Sequence, residues 1–217
     1  MAVLKDSGNR TEFGTGAVRD MGEGKGRFDL YPLSFIATCY SRNGKTLMAE
    51  TIRSIDNFLY TLDTTHLHDA IENFLTIRGW TPEEMFIEVS KHFEDGAVKY
   101  GFHNWEKGIN ISSYISSGVR HLLQYHMGDK SDPHDRAFVW NLTCAIWTAE
   151  NRPERIDTPY HTYNIKLYEQ FKRATTTQCE GQMNINDVAS SGQVLSTPAW
   201  NCAHSDNAID TIATTGM

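Results

Sequence analysis

The chain has 217 residues, of which 40% are hydrophobic, and a formal net charge of −7. A chain of this size can bury a sizeable core, and a single domain is expected. The acidic balance argues against binding of duplex nucleic acid, because phosphate contacts there need clustered lysine and arginine. No signal peptide and no long apolar run is present, which predicts a cytoplasmic protein that does not enter a membrane. The cysteines lack the close spacing of zinc or redox motifs, which predicts reduced thiols.

Residues 1–29 are polar and rich in glycine, which predicts a flexible N-terminal arm. Backbone N–H groups of the segment 14–29, helped by Arg19, Lys25 and Arg27, could instead cradle phosphate groups. The segment is not a P-loop, because no Gly-Lys-Ser/Thr follows, and not a dinucleotide-binding fingerprint, because no strand precedes it. Both interpretations of the arm stay open.

The segment between the arm and residue 79 reads mainly as helix. A short apolar segment at 30–40 is followed by the turn signal Asn43-Gly44. Apolar residues then recur at helical spacing over 46–62 and over 65–78. Two helices are therefore predicted here.

The strongest helix signal covers residues 81–100. Thr81 is a good N-cap, Pro82 suits the first helical position, and Glu84 completes a capping box. The apolar residues recur at spacings of three and four, which predicts the buried face of the helix. That face consists of Phe86, Val89, Phe93, Ala97 and Tyr100.

A second helix of this region follows the polar loop 101–108. Ile115, Val119 and Leu122 form its apolar face. Arg120 and His121, described below, lie beside that face. The helix is expected to end near Gly128.

The third helix is predicted to begin with Asp132 as its N-cap and Pro133 as its first helical residue. Asp135 suits the positive end of the helix dipole. The middle of this helix is apolar almost all round, so it should be the most buried one. His134 and Asn141 are seven residues apart and should project from one face.

The pattern fades towards the C-terminus. Residues 163–173 predict one more short helix. Residues 174–217 contain no lysine or arginine and many small polar residues, which predicts an extended or disordered tail. Trp200 could dock this tail onto the body or onto a partner. Since no strand pair, repeat or heptad array is found, the predicted class is all-α.

Four blocks of the sequence form a specific combination. They are RTEFGTGAVRDMGEGKGRFDL at 10–30, HFEDGAVKYGFHNWEKG at 92–108, VRHL at 119–122, and DPH at 132–134 with WNL at 140–142. In this order they resemble the blocks of the dATP/dGTP diphosphohydrolases, a family found mainly in phage genomes. Each block alone would be weak evidence, whereas the four together are specific.

The resemblance implies a helical bundle similar in kind to NTP pyrophosphohydrolases of MazG type, which use magnesium to split an α–β phosphoanhydride. It implies hydrolysis of a purine deoxynucleoside triphosphate, dATP or dGTP, to the monophosphate and pyrophosphate. This activity would belong to phage nucleotide metabolism in the host cytoplasm. A homo-oligomer is also expected.

The chain departs from the family's spacing, because residues of about 34–79 intervene between the first block and the central helix. We therefore expect an arm at 1–29, an all-α catalytic domain at 30–173 with a helical insert at 34–79, and a tail at 174–217. The Glu-x-x-Glu pair of MazG-type enzymes is also absent. The metal ligands therefore cannot be transferred by counting along the sequence.

Hydrolysis at an α-phosphate requires neutralisation of the triphosphate, a water aimed in line, and a stabilised leaving group. Mg²⁺, or another divalent metal ion, held by carboxylates would supply much of this. Glu94 and Asp132 are the first candidate ligands and Asp95 and Asp135 the next, while Glu94, Asp132 and His134 are the candidate catalytic residues. The alternatives are a solvated position for Glu94 and helix capping by Asp132 and Asp135.

The candidate substrate-binding residues are basic, aromatic or amide side chains. A base could stack on Trp105 and be read by Asn104, although an indole that packs between helices is at least as common. His121 and His134 could orient water or bind phosphate, although such a histidine is more often a satisfied core residue. The full set is Arg19, Lys25, Arg27, Lys99, Asn104, Trp105, Arg120, His121 and Asn141.

Two other functions stay open at the level of the sequence. The absent acidic pair is compatible with a non-catalytic phage protein that binds or sequesters nucleotides on the same scaffold. A structural helical protein with an interaction tail would explain the tail but not the polar blocks. Product analysis and recovery of bound nucleotide distinguish these functions.

Overall fold

The computed structural model describes residues 8–158, and these form a helical protein with a β-hairpin at the N-terminal end. The hairpin pairs β1 (Arg10–Glu12) with β2 (Val18–Asp20) in antiparallel register. The prevalence of helix confirms the predicted all-α class. The helices are α1 (Leu33–Arg42), α2 (Thr46–Thr61), α3 (Thr65–Arg78), α4 (Pro82–Tyr100), α5 (Ile111–His126) and α6 (His134–Asn151).

The hairpin corrects the expectation that no strand pair exists. The turn between its strands closes through Phe13 N–H to the Ala17 carbonyl at 2.8 Å, and Gly16 adopts a φ of 77° that favours glycine. Ala17 is fully buried, so the hairpin packs against the helices where a flexible arm was expected. Strands of three residues are too short to show an alternating pattern in the sequence.

Helix α4 begins where its capping box predicted. The Thr81 hydroxyl accepts from Glu84 N–H at 3.3 Å, and the Glu84 carboxylate accepts from Thr81 N–H at 2.8 Å. The predicted buried face is confirmed at Val89 and wrong at Phe86, which is 66% exposed, while Met85 and His92 are buried in addition. The position of His92 was missed because the predicted face was found by counting apolar residues, and histidine is not one of them.

Helix α6 begins one residue later than predicted. Pro133 is its N-cap, so Asp132 lies one position before the N-cap that was predicted for it. The Asp132 carbonyl instead accepts from His134 N–H at 2.9 Å. The expectation that this helix is the most buried one is confirmed, because its buried residues outnumber those of each other helix of the described region.

Helices α5 and α6 form the centre of the fold. Gly118 of α5 lies at the contact between them, where a Cβ atom would lie 3.4 Å from Leu142 Cδ2. Helix α3 joins the same core through Phe74, whose ring centroid lies 4.6 Å from that of Phe138. Helices α1 to α3, which include most of the predicted insert, thus share one hydrophobic core with α5 and α6.

Some expectations fall outside the described residues. The predicted helix at 163–173, the tail at 174–217 and its Trp200 lie beyond residue 158. Within 8–158, no helix has the length and apolar character needed to cross a membrane.

Candidate functional site

Arg19 of β2 reaches between α5 and α6. Its guanidinium carbon lies 5.1 Å from the ring centroid of Tyr114 and 5.8 Å from that of Trp140. Its Nη2 donates to the side-chain oxygen of Asn141, whereas its Nη1 is buried without a hydrogen-bond partner in the described region. Burial lowers the pKa of Arg19 from its ordinary value. An arginine in this position has a strong donor to offer to a ligand.

Contacts to the loop after α4 hold the hairpin in place. The side-chain amide of Asn104 accepts from Val18 N–H at 2.9 Å and donates to the Val18 carbonyl at 2.7 Å. Lys99 lies 2.6 Å from the Asp20 carboxylate. Asn104 therefore positions β2, because its side-chain amide is bonded on both sides to the backbone of Val18.

Basic side chains from four elements surround this point. We call Arg19, His92, Arg120, His121 and Arg136 the basic cluster. Burial, and next the charge of Arg19, lower the pKa of Arg120 to about 10. Burial, followed by the charges of Arg136 and Arg19, lowers the pKa of His92 to about 3. These effects show that the positive charges act on one another.

The arginines Arg120 and Arg136 of the basic cluster have little negative charge beside them. Arg120 donates to the Ser117 hydroxyl at 2.6 Å, and the Arg136 guanidinium lies 4.0 Å from the Asp95 carboxylate. Repulsion between cations in a partly desolvated site costs free energy. Arginines bind phosphate oxygens well, because their planar donors match the geometry of the group. The cluster is therefore suited to an anion with several charges.

A pair of histidines borders the cluster. Nδ1 of His121 lies 2.8 Å from Nδ1 of His134, so one ring donates to the other. The Asp129 carboxylate lies 3.2 Å from Nε2 of His134. Burial, and next the charge of Arg120, lower the pKa of His121 well below its ordinary value. The His121 ring is therefore neutral at neutral pH, and its nitrogens can take part in hydrogen bonds as donor or acceptor.

The carboxylates that were expected to bind a metal ion do not form a cluster. Asp135 accepts from Arg78 at 2.9 Å, Asp95 lies beside Arg136, and Glu94 is exposed. In residues 8–158, no group of three or more His, Cys, Asp or Glu side chains could hold a metal ion. An ion bound in this region would therefore depend on one or two carboxylates together with oxygens of the substrate, which is the usual arrangement for Mg²⁺.

A cavity of about 610 Å³ lies next to Arg19, between α4 and the 3-10 turn at Asn104–Lys107. Phe93, Trp105 and Trp140 line it, and Glu94 is at its border. Trp105 also packs edge-on against Trp147, with ring centroids 4.9 Å apart. The indole of Trp105 therefore packs between helices and also lines the cavity, while the stacking of a base on it stays a prediction.

The two basic residues at the end of the glycine-rich segment have different surroundings. Arg27 forms two hydrogen bonds to Asp29, whose carboxylate is fully buried and also accepts from the Ser116 hydroxyl. Lys25 lies in an exposed turn. Arg27 thus anchors the segment to α5, a contact that the sequence did not predict.

The structure brings together only some of the residues expected from the sequence. Arg19, Arg120, His121 and Asn141 meet, whereas the candidate metal ligands do not. His92 and Arg136 were missed. Each had one indication in the sequence, since His92 is the first residue of the second block and Arg136 lies between the two parts of the fourth.

Comparison with known protein families gives a match over part of the chain. Residues 70–158 match a family model described as dATP/dGTP diphosphohydrolase, N-terminal. No curated protein and no solved structure gives a match. The matched segment contains α4, α5 and α6, and with them the basic cluster except Arg19. Over residues 70–158 this match confirms the resemblance to the dATP/dGTP diphosphohydrolases that was expected from the four blocks.

Proposed function

We propose that the protein is a nucleoside triphosphate pyrophosphohydrolase that converts dATP or dGTP into the monophosphate and pyrophosphate. The family name supports a diphosphohydrolase of this kind. The observation that carries the proposal is the basic cluster, in which the charge of Arg19 acts on the half-buried Arg120 with Asp95 at the edge. A triphosphate would neutralise these charges.

The residues of the site have separate tasks in this proposal. Arg120 and Arg136 bind oxygens of the triphosphate and of the leaving pyrophosphate. The His121–His134 pair orients the attacking water through a hydrogen bond. Asn141 positions Arg19 through the hydrogen bond to its Nη2.

Dependence on Mg²⁺ is a further part of the proposal. Among the candidate ligands, Glu94 is the exposed carboxylate that borders the cavity. We expect Glu94→Gln to raise the Mg²⁺ concentration needed for half-maximal rate at least tenfold, whereas the control Glu83→Gln in the first turn of α4 leaves it unchanged. Equal metal dependence of the two variants would remove Glu94 from the site.

A second candidate function is non-catalytic binding or sequestration of nucleotides. It is favoured by the separation of the carboxylates, because Asp95 and Asp135 lie beside arginines and not beside one another. In this case, nucleotide would be recovered intact from the denatured protein and no turnover would occur with Mg²⁺.

The experiment that separates the two functions is a panel of the eight common ribo- and deoxyribonucleoside triphosphates with Mg²⁺. Products are resolved by ion-exchange chromatography. We expect pyrophosphate and monophosphate, with dATP or dGTP as the fastest substrates. Orthophosphate as the first product, or no turnover at all, would contradict the proposed activity.

The expected homo-oligomer, the phage context and the cytoplasmic location stay predictions. Light scattering coupled to gel filtration measures the number of subunits directly. A monomer at micromolar concentration would contradict the predicted oligomer.

A further inference from the structure

The cavity beside Arg19 has the features of a site for a flat aromatic ligand. Its volume of about 610 Å³ is within the range of small-molecule pockets. Phe93, Trp105 and Trp140 line it, and aromatic side chains of this kind stack on nucleobases. We call this space the aromatic pocket.

One of the polar groups in the wall of this pocket is the guanidinium of Arg19. Its Nη2 is bonded to Asn141, which leaves Nη1 as a buried donor without a partner in the described region. A buried donor gains most from an acceptor on the ligand, because leaving it unpaired is costly. The Asn104 amide, the other candidate reader, is bonded on both sides to Val18.

We propose that the aromatic pocket is a purine-base subsite in which Nη1 of Arg19 donates to N7 of the base. Adenine and guanine both carry an acceptor at N7, whereas their six-position groups differ and pyrimidines have no N7. A donor at this place accepts both purines and selects against pyrimidines. The inference rests on the proposed function, because it places the base of the same substrate.

The surroundings of Arg19 support this arrangement. Arg19 lies where the pocket meets the basic cluster, since it lines the pocket and its charge lowers the pKa of Arg120 after burial. A base in the pocket would thus have its phosphates towards Arg120. The Asn141 contact fixes the plane of the guanidinium and so the direction of its donors.

The first test uses dAMP, dGMP and their 7-deaza analogues, in which N7 is replaced by C–H. These monophosphates have no phosphoanhydride bond, so calorimetric titration measures binding without turnover. We expect each 7-deaza analogue to bind at least tenfold more weakly than its parent, which corresponds to about 1.4 kcal/mol. Equal dissociation constants for analogue and parent would overturn the role of Arg19.

The second test fills the pocket. Ala97 of α4 lines it, whereas Ser90 is exposed on the same helix two turns earlier and does not. Ala97→Leu should weaken binding of dAMP and dGMP at least tenfold, and the matched control Ser90→Leu should remain within twofold of the natural protein. The same affinity in both variants would overturn the location of the subsite.

Hydrolysis of dATP, measured in parallel, separates this inference from the proposed function. Turnover that is unchanged in Ala97→Leu would leave the function intact and reject the subsite. Discrimination between dAMP and its 7-deaza analogue without any hydrolysis of dATP would support the subsite and reject the activity. Arg19→Met should reduce the ratio of the analogue and parent dissociation constants to about one, and an unchanged ratio would overturn the assignment of Arg19.

Discussion

At the scale of single residues, the arginines differ in their partners. Arg78 contacts Asp135 at 2.9 Å and Arg27 contacts Asp29. Arg120 instead bonds to a neutral hydroxyl and lies within the field of Arg19. Such a cation stabilises the folded chain little, so we infer that it is retained for an anionic ligand.

Replacement of Arg120 tests this difference in the absence of ligand. Arg120→Gln removes repulsion within the basic cluster, and we expect the free energy of unfolding to stay the same or rise by about 1 kcal/mol. The control Arg78→Gln breaks a part-exposed ion pair and should lower the free energy of unfolding by about 1 kcal/mol. Urea denaturation measures both values. A loss of more than about 1 kcal/mol in Arg120→Gln would show that the residue supports the fold.

The buried histidines predict a dependence of stability on pH. The folded-state pKa of His92 is about 3, against 6.5 in the unfolded chain, because burial and then nearby arginines disfavour the charged ring. The unfolded chain therefore takes up the proton first, and stability falls as the pH is lowered from about 6.5 towards 3. Above this window both states are neutral and His92 adds no dependence.

Denaturation at two pH values between 5 and 6.5 checks this prediction. His92→Phe should reduce the slope of the unfolding free energy by up to about 1.4 kcal/mol per pH unit. The exposed His68, changed to Phe, is the control and should leave the slope as it is. An unchanged slope in His92→Phe would mean that the ring titrates normally in the folded protein.

At the scale of elements, local signals gave reliable boundaries and tertiary contacts decided the rest. The capping box at Thr81 and the helix stop at Gly79 depend only on residues close in sequence. The start of α4 and the end of α3 could therefore be predicted. The buried face of α4 could not, because His92 faces inward beside Trp140 while Phe86 faces outward. The pairing of β1 with β2 also depends on Asn104, which is far away in sequence.

The N-terminus of α5 is capped from outside the helix. The Asp157 carboxylate accepts from Ser112 N–H at 2.9 Å and from the Asn110 side chain at 2.8 Å. Asp157→Ala should lower the free energy of unfolding by about 1 kcal/mol, as the loss of an N-cap does. Glu154→Ala, which removes a carboxylate 3.9 Å from Arg155, is the control and should have little effect. If Asp157→Ala and Glu154→Ala lowered the free energy of unfolding equally in thermal or urea denaturation, a capping role of Asp157 would be excluded.

Because α5 and α6 are in close contact at Gly118, we expect the effect of a substitution there to depend on the size of the new side chain. A Cβ atom would meet Leu142 at 3.4 Å and Asn141 at 3.5 Å, which are ordinary contact distances. Gly118→Ala should therefore be neutral or stabilising by up to about 1 kcal/mol, because alanine favours helix. Gly118→Leu should cost about 1–3 kcal/mol through overpacking. Comparable urea midpoints for the two variants would contradict the close approach.

At the scale of the whole molecule, the site is assembled from distant parts of the chain. The sequence singled out Arg19, Arg120 and His121 because their blocks carry uncommon polar residues, and the fold places them together. It could not place the carboxylates, because the contacts of Asp95 and Asp135 depend on how α3, α4 and α6 pack. A list of charged residues does not show which charges neutralise each other.

The central claim is that the basic cluster binds the triphosphate of a purine nucleotide. The most direct measurement is the dissociation constant for dATP, determined by calorimetry with EDTA present so that turnover is suppressed. Arg120→Gln should bind dATP at least tenfold more weakly than the natural protein, whereas Arg42→Gln, at the exposed end of α1, should bind it equally well. Equal affinity in Arg120→Gln and the natural protein would contradict the claim.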